Sequence, residues 1–112
     1  MVFDHISTHV DKFIQTQGGY WNPPWLLAAL IEELGELSKV MQRKEGIRLG
    51  DNSAEKNSLK ELIEEESGDI LFALICLTNY YGIDLEIAIK KTLNKYESRE
   101  NELNNPRKPN NQ

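Results

Sequence analysis

The chain has 112 residues and a formal charge of −5, with a pI near 5.0. That size fits one domain, and the acidic balance argues against binding to nucleic-acid polymers or membrane surfaces. One cysteine closes no internal disulfide, the N-terminus lacks a signal-peptide pattern and no apolar run is long enough to span a bilayer, so a soluble cytoplasmic protein is expected.

Four helices are predicted, and no strand signal competes with them. The first, over residues 3–17, carries Phe3, Ile6, Val10, Phe13 and Ile14 at helical spacing and is stopped by Gly18-Gly19. His5 and His9 are spaced i,i+4 on it, but no third ligand accompanies them, so they are not assigned to a metal. An aromatic loop follows, Tyr20-Trp21-Asn22-Pro23-Pro24-Trp25. Asn22 before Pro23 reads as an N-cap with proline at the first helical position. The second helix runs to about Lys44, and Gly46 and Gly50 mark a loop. Ser58-Leu59-Lys60-Glu61 reads as a capping box, starting the third helix near Leu59. That helix continues to Tyr81, where Gly82 ends it, and Cys76 within its apolar run 70–77 reads as a small core residue. Asp84 is the expected N-cap of the fourth helix, which runs to Leu103. Residues 1–103 are therefore read as the domain and residues 104–112 as a disordered tail.

Two acidic clusters interrupt otherwise core-facing helices: Glu32-Glu33-Leu34-Gly35-Glu36 and Glu65-Glu66-Ser67-Gly68-Asp69. Winding the second helix places Leu26, Leu30, Leu34, Leu37 and Met41 on one arc, with Glu33 at its edge and Glu36 slightly beyond. In the third helix Glu66 falls in the apolar series Leu59, Ile63, Ile70, Leu74 and Leu77, and Asp69 lies one step aside. An antiparallel hairpin of these helices would bring Glu33, Glu36, Glu66 and Asp69 together. Gly35 and Gly68 suggest close backbone approach, because a mid-helix glycine costs about 1 kcal/mol relative to alanine. Crowded carboxylates beside an apolar seam call for a cation, and an all-oxygen shell favours Mg²⁺ or Mn²⁺. A polyphosphate is the expected client. Lys91, Lys95 and Arg99 form a basic stripe on the fourth helix, and Tyr20, Trp21 and Trp25 are available to stack a base, with Trp21 favoured because it lies in the loop itself.

Glu-Glu-Leu-Gly-Glu-Leu at 32–37, followed by Glu-Glu-Ser-Gly-Asp-Ile-Leu-Phe at 65–72, resembles the MazG-type all-α nucleotide pyrophosphohydrolases. The likeness extends to Gly19-Tyr20-Trp21-Asn22-Pro23 upstream and to Lys95-Tyr96 and Arg99 downstream. It implies Mg²⁺-dependent cleavage of a nucleoside triphosphate to the monophosphate and pyrophosphate, by a four-helix protomer assembled as a homodimer or homotetramer. By matched position it implies Glu33, Glu36, Glu66 and Asp69 as metal ligands. Glu32 would be a further ligand or water-orienting base, making Glu32 and Glu33 the expected catalytic residues. Lys95 and Arg99 would contact phosphate.

Two other readings compete. A di-iron carboxylate bundle would need a Glu-x-x-His on each of two helices, and neither cluster has a histidine. A non-enzymatic helical interaction or regulatory module leaves the seam carboxylate and the two glycines unaccounted for. A third helix of about 24 residues spans roughly 36 Å, long for so small a chain to cover alone. Phe72 and Ile75, away from the Glu66 seam, are read as a second apolar face for an interface.

Overall fold

The computed structural model describes residues 2–45 and 53–103, and these form four helices: α1 (Val2–Thr16), α2 (Pro23–Lys44), α3 (Ser53–Tyr80) and α4 (Leu85–Leu103). Among the described residues there is no strand, so the all-α expectation holds. The predicted tail, 104–112, and the loop at Gly46 and Gly50 lie outside the described residues.

The helix ends show why the chain breaks where it does. α3 closes in a Schellman turn: Gly82 N–H donates to the Asn79 carbonyl at 3.1 Å and Ile83 N–H to Thr78 at 2.9 Å. That geometry needs the left-handed φ of 66° that Gly82 adopts. Asp84 caps α4 as expected, its Oδ1 accepting from the backbone of Glu86 at 2.9 Å and Ile87 at 3.2 Å. Asn22 does occupy the N-cap of α2 ahead of Pro23, but its side chain makes no capping bond. Its carbonyl instead accepts the Trp25 and Leu26 amides.

The predicted start of α3 is wrong by a turn and a half. The helix begins at Ser53, so Ser58 is interior and its capping box is not used. Ala54, Glu55 and Lys56 are good helix formers, and nothing between them and Ser58 breaks the chain. At 28 residues α3 is about 42 Å long, longer than its sequence signals implied.

α2 and α3 form the main packed pair, α1 lies on α3, and α4 touches α1. Leu59 is 1 % exposed, and full burial of a leucine contributes about 1.5–3 kcal/mol. The inward stripe of α2 comprises Leu26, Leu30, Glu33, Leu37 and Val40, shifted from the predicted arc. Leu34 and Met41, expected inside, belong to an outer stripe with Leu27 and Ile31, all of them exposed.

Of the α3 face assigned to an interface, Ile75 is covered within the chain, whereas Phe72 remains 40 % exposed. Phe72 meets Phe13 of α1 edge to face, with ring centroids 6.3 Å apart, and Asn79 donates to the Ser7 carbonyl of α1. Ile75, at spacings of three and four between them, is 1 % exposed.

Beyond Gly82 the chain turns through 106° into α4, which leaves Ile87, Ile89, Leu93 and Tyr96 exposed. The Cα radius of gyration is 18.9 Å, against about 13 Å for a closed chain of this length. Among the described residues no single helix is long and apolar enough to cross a membrane.

Candidate active site

Glu33 sits in the middle of the inward stripe of α2, and Glu66 in the middle of that of α3. The predicted hairpin therefore sets them opposite one another, with Asp69 one turn further along. One carboxylate oxygen from each of Glu33, Glu66 and Asp69 lies within 4.8 Å of the others. Glu66 Oε2 is enclosed and has no hydrogen-bond donor among the described residues. An enclosed carboxylate oxygen facing two more carboxylates is costly unless a cation compensates it.

Burial, then the charges of Asp69, Glu32 and Glu36, raise the Glu33 carboxyl above its ordinary 4.5. Burial, then Glu33, Asp69, Glu36 and Glu65, raise Glu66 in the same direction. An acid raised on folding stabilises the fold while protonated. Its contribution is present below the ordinary 4.5 and is lost as pH rises through the raised value. The metal-free protein is therefore expected to lose melting temperature as pH climbs from 4.5 towards neutrality. Thermal scans across that range in chelator measure this, and Glu66→Gln should flatten the slope. A wild-type melting temperature that rises monotonically to pH 7 would contradict the assignment.

Glu36 is not within the three-carboxylate group. It lies one turn along α2, close enough to raise both other glutamates, and its exposed carboxylate pairs with Lys39 at 3.5 Å. Glu32 is exposed beside the group. Gly35 and Gly68 do not mark a close approach within the chain: a Cβ at either would meet nothing within 4 Å.

The acids open into a cavity of about 310 Å³. Glu33 and Asp69 line one end, and Tyr20 and Trp21 with Gly19 line the other. Leu26, Ala29, Phe72, Ala73 and Cys76 form apolar walls between them. Ala29 and Ala73 stand where larger residues would close the space, a signal that the sequence reading passed over. Cys76 is buried as expected, and burial pushes its thiol up.

Of the aromatics, Trp21 stands on the cavity rim and is 65 % exposed. Trp25 is equally exposed and lines only a shallow surface depression with Trp21. Tyr20 lines the cavity, and its hydroxyl is held in hydrogen bonds to Asp11 and Asn79. Neither Lys95 nor Arg99 lines the cavity. Their cationic heads lie over the Tyr96 ring at 5.1 and 5.4 Å, on the helix that turns away. His5 and His9 line a shallow depression on α1 and do not join the acidic group.

A paired-helix acidic site opening into an aromatic-rimmed cavity is the arrangement of an all-α phosphoanhydride hydrolase. Residues 22–104 match the MazG nucleotide pyrophosphohydrolase domain, and the chain belongs to that family. It is 36 % identical over 96 residues to the uncharacterised Bacillus subtilis protein YpjD, covering 85 % of this chain and 83 % of that one. The crystal structure of YpjD, a candidate pyrophosphatase, superposes with a TM-score of 0.72, covering 84 % of this chain and 93 % of the other. A crystal structure of the Bacillus-conserved MazG protein, a nucleotide pyrophosphohydrolase, superposes with a TM-score of 0.63 at 32 % identity, covering 96 % and 94 %. The protein is thus a nucleotide pyrophosphohydrolase, which sets aside the non-enzymatic interaction module.

Proposed function

We propose that the enzyme hydrolyses nucleoside triphosphates, ribo or deoxy, to the monophosphate and pyrophosphate, with Mg²⁺ or Mn²⁺ held by Glu33, Glu66 and Asp69. The carrying observation is the enclosed, donorless Glu66 Oε2 beside two carboxylates at the acidic end of the cavity. Three all-oxygen donors fit a hard divalent cation and fit zinc or iron poorly. Glu36, with its side chain largely in solvent, completes the shell by turning in from its weak surface pairing with Lys39. When bound, the metal supplies charge neutralisation for the triphosphate and acidifies the attacking water.

The chain's own residues do the rest. Glu32, exposed next to Glu33, accepts the proton of that water as its oxygen bonds the α-phosphorus. The bond from that phosphorus to the α–β bridging oxygen breaks, and pyrophosphate leaves. Trp21 covers the base, and the apolar walls exclude water from the ribose end.

Lys95 and Arg99 act on phosphate from a second copy of the chain. Two features support this: α4 diverges from α3 by 106°, and both α4 and the outer stripe of α2 expose apolar residues. Burial of such faces between copies makes the enzyme a homodimer or a homotetramer.

A panel of ribo- and deoxynucleoside triphosphates, assayed for pyrophosphate release in chelator and with added Mg²⁺ or Mn²⁺, tests the function. Release of pyrophosphate and monophosphate only with added metal is expected. Release of inorganic phosphate instead, or turnover undiminished in chelator, would overturn it.

A further inference from the structure

The turn between α1 and α2 forms the outer wall of the cavity, and its first residues close α1 through the Gly18 and Gly19 amides, which donate to the Gln15 and Ile14 carbonyls at 3.4 and 3.0 Å. Gly18 and Gly19 both take positive φ, 102° and 98°, in a stretch with no Cβ to restrict its alternatives. Trp21 is mostly in solvent.

Between those backbone bonds and the start of α2, side-chain hydrogen bonds at Tyr20 tie the turn to the helices. The Tyr20 hydroxyl donates to Asp11 Oδ1 of α1 at 2.7 Å and accepts from Asn79 Nδ2 of α3 at 3.0 Å. The second hydrogen of the same Asn79 amide serves the Ser7 carbonyl at 3.0 Å. Three chain segments meet there. Burial and the Asp11 carboxylate push the Tyr20 phenol up to about 12, so the hydroxyl keeps its proton at any physiological pH.

We infer that Tyr20, Asp11 and Asn79 are positioning residues for base binding: their hydrogen-bonded clamp holds the α1–α2 turn over the cavity so that Trp21 meets the nucleobase. The inference rests on the pyrophosphohydrolase reading of this cavity. Asp11 and Asn79 do not line the cavity and act through Tyr20, which does. Loss of the clamp leaves the acids untouched, so it lowers the fraction of molecules ready to take the base. If the turn is in place for about a tenth to a fifth of the time, apparent affinity falls about five- to tenfold.

The test uses the full chain with Trp25→Phe as background, leaving Trp21 as the sole indole. Tyr20→Phe, Asn79→Ala, Asp11→Ala and Asp11→Asn are compared. Tyr20→Phe leaves Asn79 bonded to Ser7, and Asp11→Asn keeps an acceptor for the tyrosine. Expected for Tyr20→Phe, Asn79→Ala and Asp11→Ala is a KM for the best triphosphate raised about five- to tenfold, with kcat within about twofold. The Mg²⁺-induced melting shift should be unchanged and the Trp21 fluorescence anisotropy lower. Asp11→Asn should restore both KM and anisotropy. Unchanged KM and anisotropy in Tyr20→Phe and Asn79→Ala would overturn the inference, as would a loss confined to kcat. If the wild type releases no pyrophosphate from any triphosphate, the functional reading fails. The anisotropy arm then decides by itself whether the clamp holds the turn.

Discussion

Glu66→Ala is expected to cut turnover about a thousandfold or more, because a lost ligand removes several kcal/mol of metal-supplied charge stabilisation and each 1.36 kcal/mol is a factor of ten. The fold should survive. Glu66 occupies a seam position where alanine is sterically harmless, and its Oε2 has no donor to lose. In chelator the variant should therefore melt at or above the wild-type temperature. In Mg²⁺ the order should reverse, since only the wild type gains from binding. Steady-state kinetics beside melting curves with and without Mg²⁺ check both halves. Near wild-type turnover in a folded Glu66→Ala enzyme would remove the metal site, and a variant unstable in both buffers would mean that Glu66 serves packing instead.

Subunit mixing gives the second large effect. Arg99→Ala, or Lys95→Ala, should lower catalytic efficiency while leaving the Mg²⁺-induced melting shift intact, because the acids stay in place. If α4 of one copy serves the acids of another, an inactive Glu66→Ala chain and an impaired Arg99→Ala chain complement one another. Refolded together in equal amounts as a twofold dimer, they should recover about a quarter of wild-type activity, the fraction of sites in which both residues are native. Activity no higher than the average of the two separate variants would return Arg99 to a role within its own chain. Sedimentation showing a folded monomer at micromolar concentration would remove the shared site altogether.

Much of the acidic site was legible in the sequence because helical geometry is local. Glu66 falls in an apolar series whose spacing needs nothing beyond its own helix, and Asp69 follows one turn later. The helix ends at Gly82 and Asp84 were legible for the same reason: a Schellman turn and an Asx cap are made by residues within a few positions of each other. The box at Ser58 shows the limit of that rule. A capping sequence is effective only where the chain leaves the helix, and the residues before it did not.

Which apolar face goes inside is not a local property. α2 carries two stripes, Leu26–Leu30–Leu37–Val40 and Leu27–Ile31–Leu34–Met41, and the sequence does not rank them. Packing against α3 selected the first, moving Glu33 from the edge of the seam to its centre and turning Leu34 and Met41 outward. Ile75 is buried, whereas Phe72, whose ring meets Phe13 of α1 across nearly sixty residues, stays 40 % exposed, a difference that spacing along α3 does not show. The anchoring of the Tyr20 hydroxyl by Asp11 and Asn79, on two different helices, is likewise invisible in its local sequence. Sequence spacing thus determined the helices, the seam carboxylates and the caps, whose physics acts within one turn. Only the tertiary structure decided which faces are buried, where the cavity opens and which aromatic borders it, because those depend on distant segments competing for the same surface.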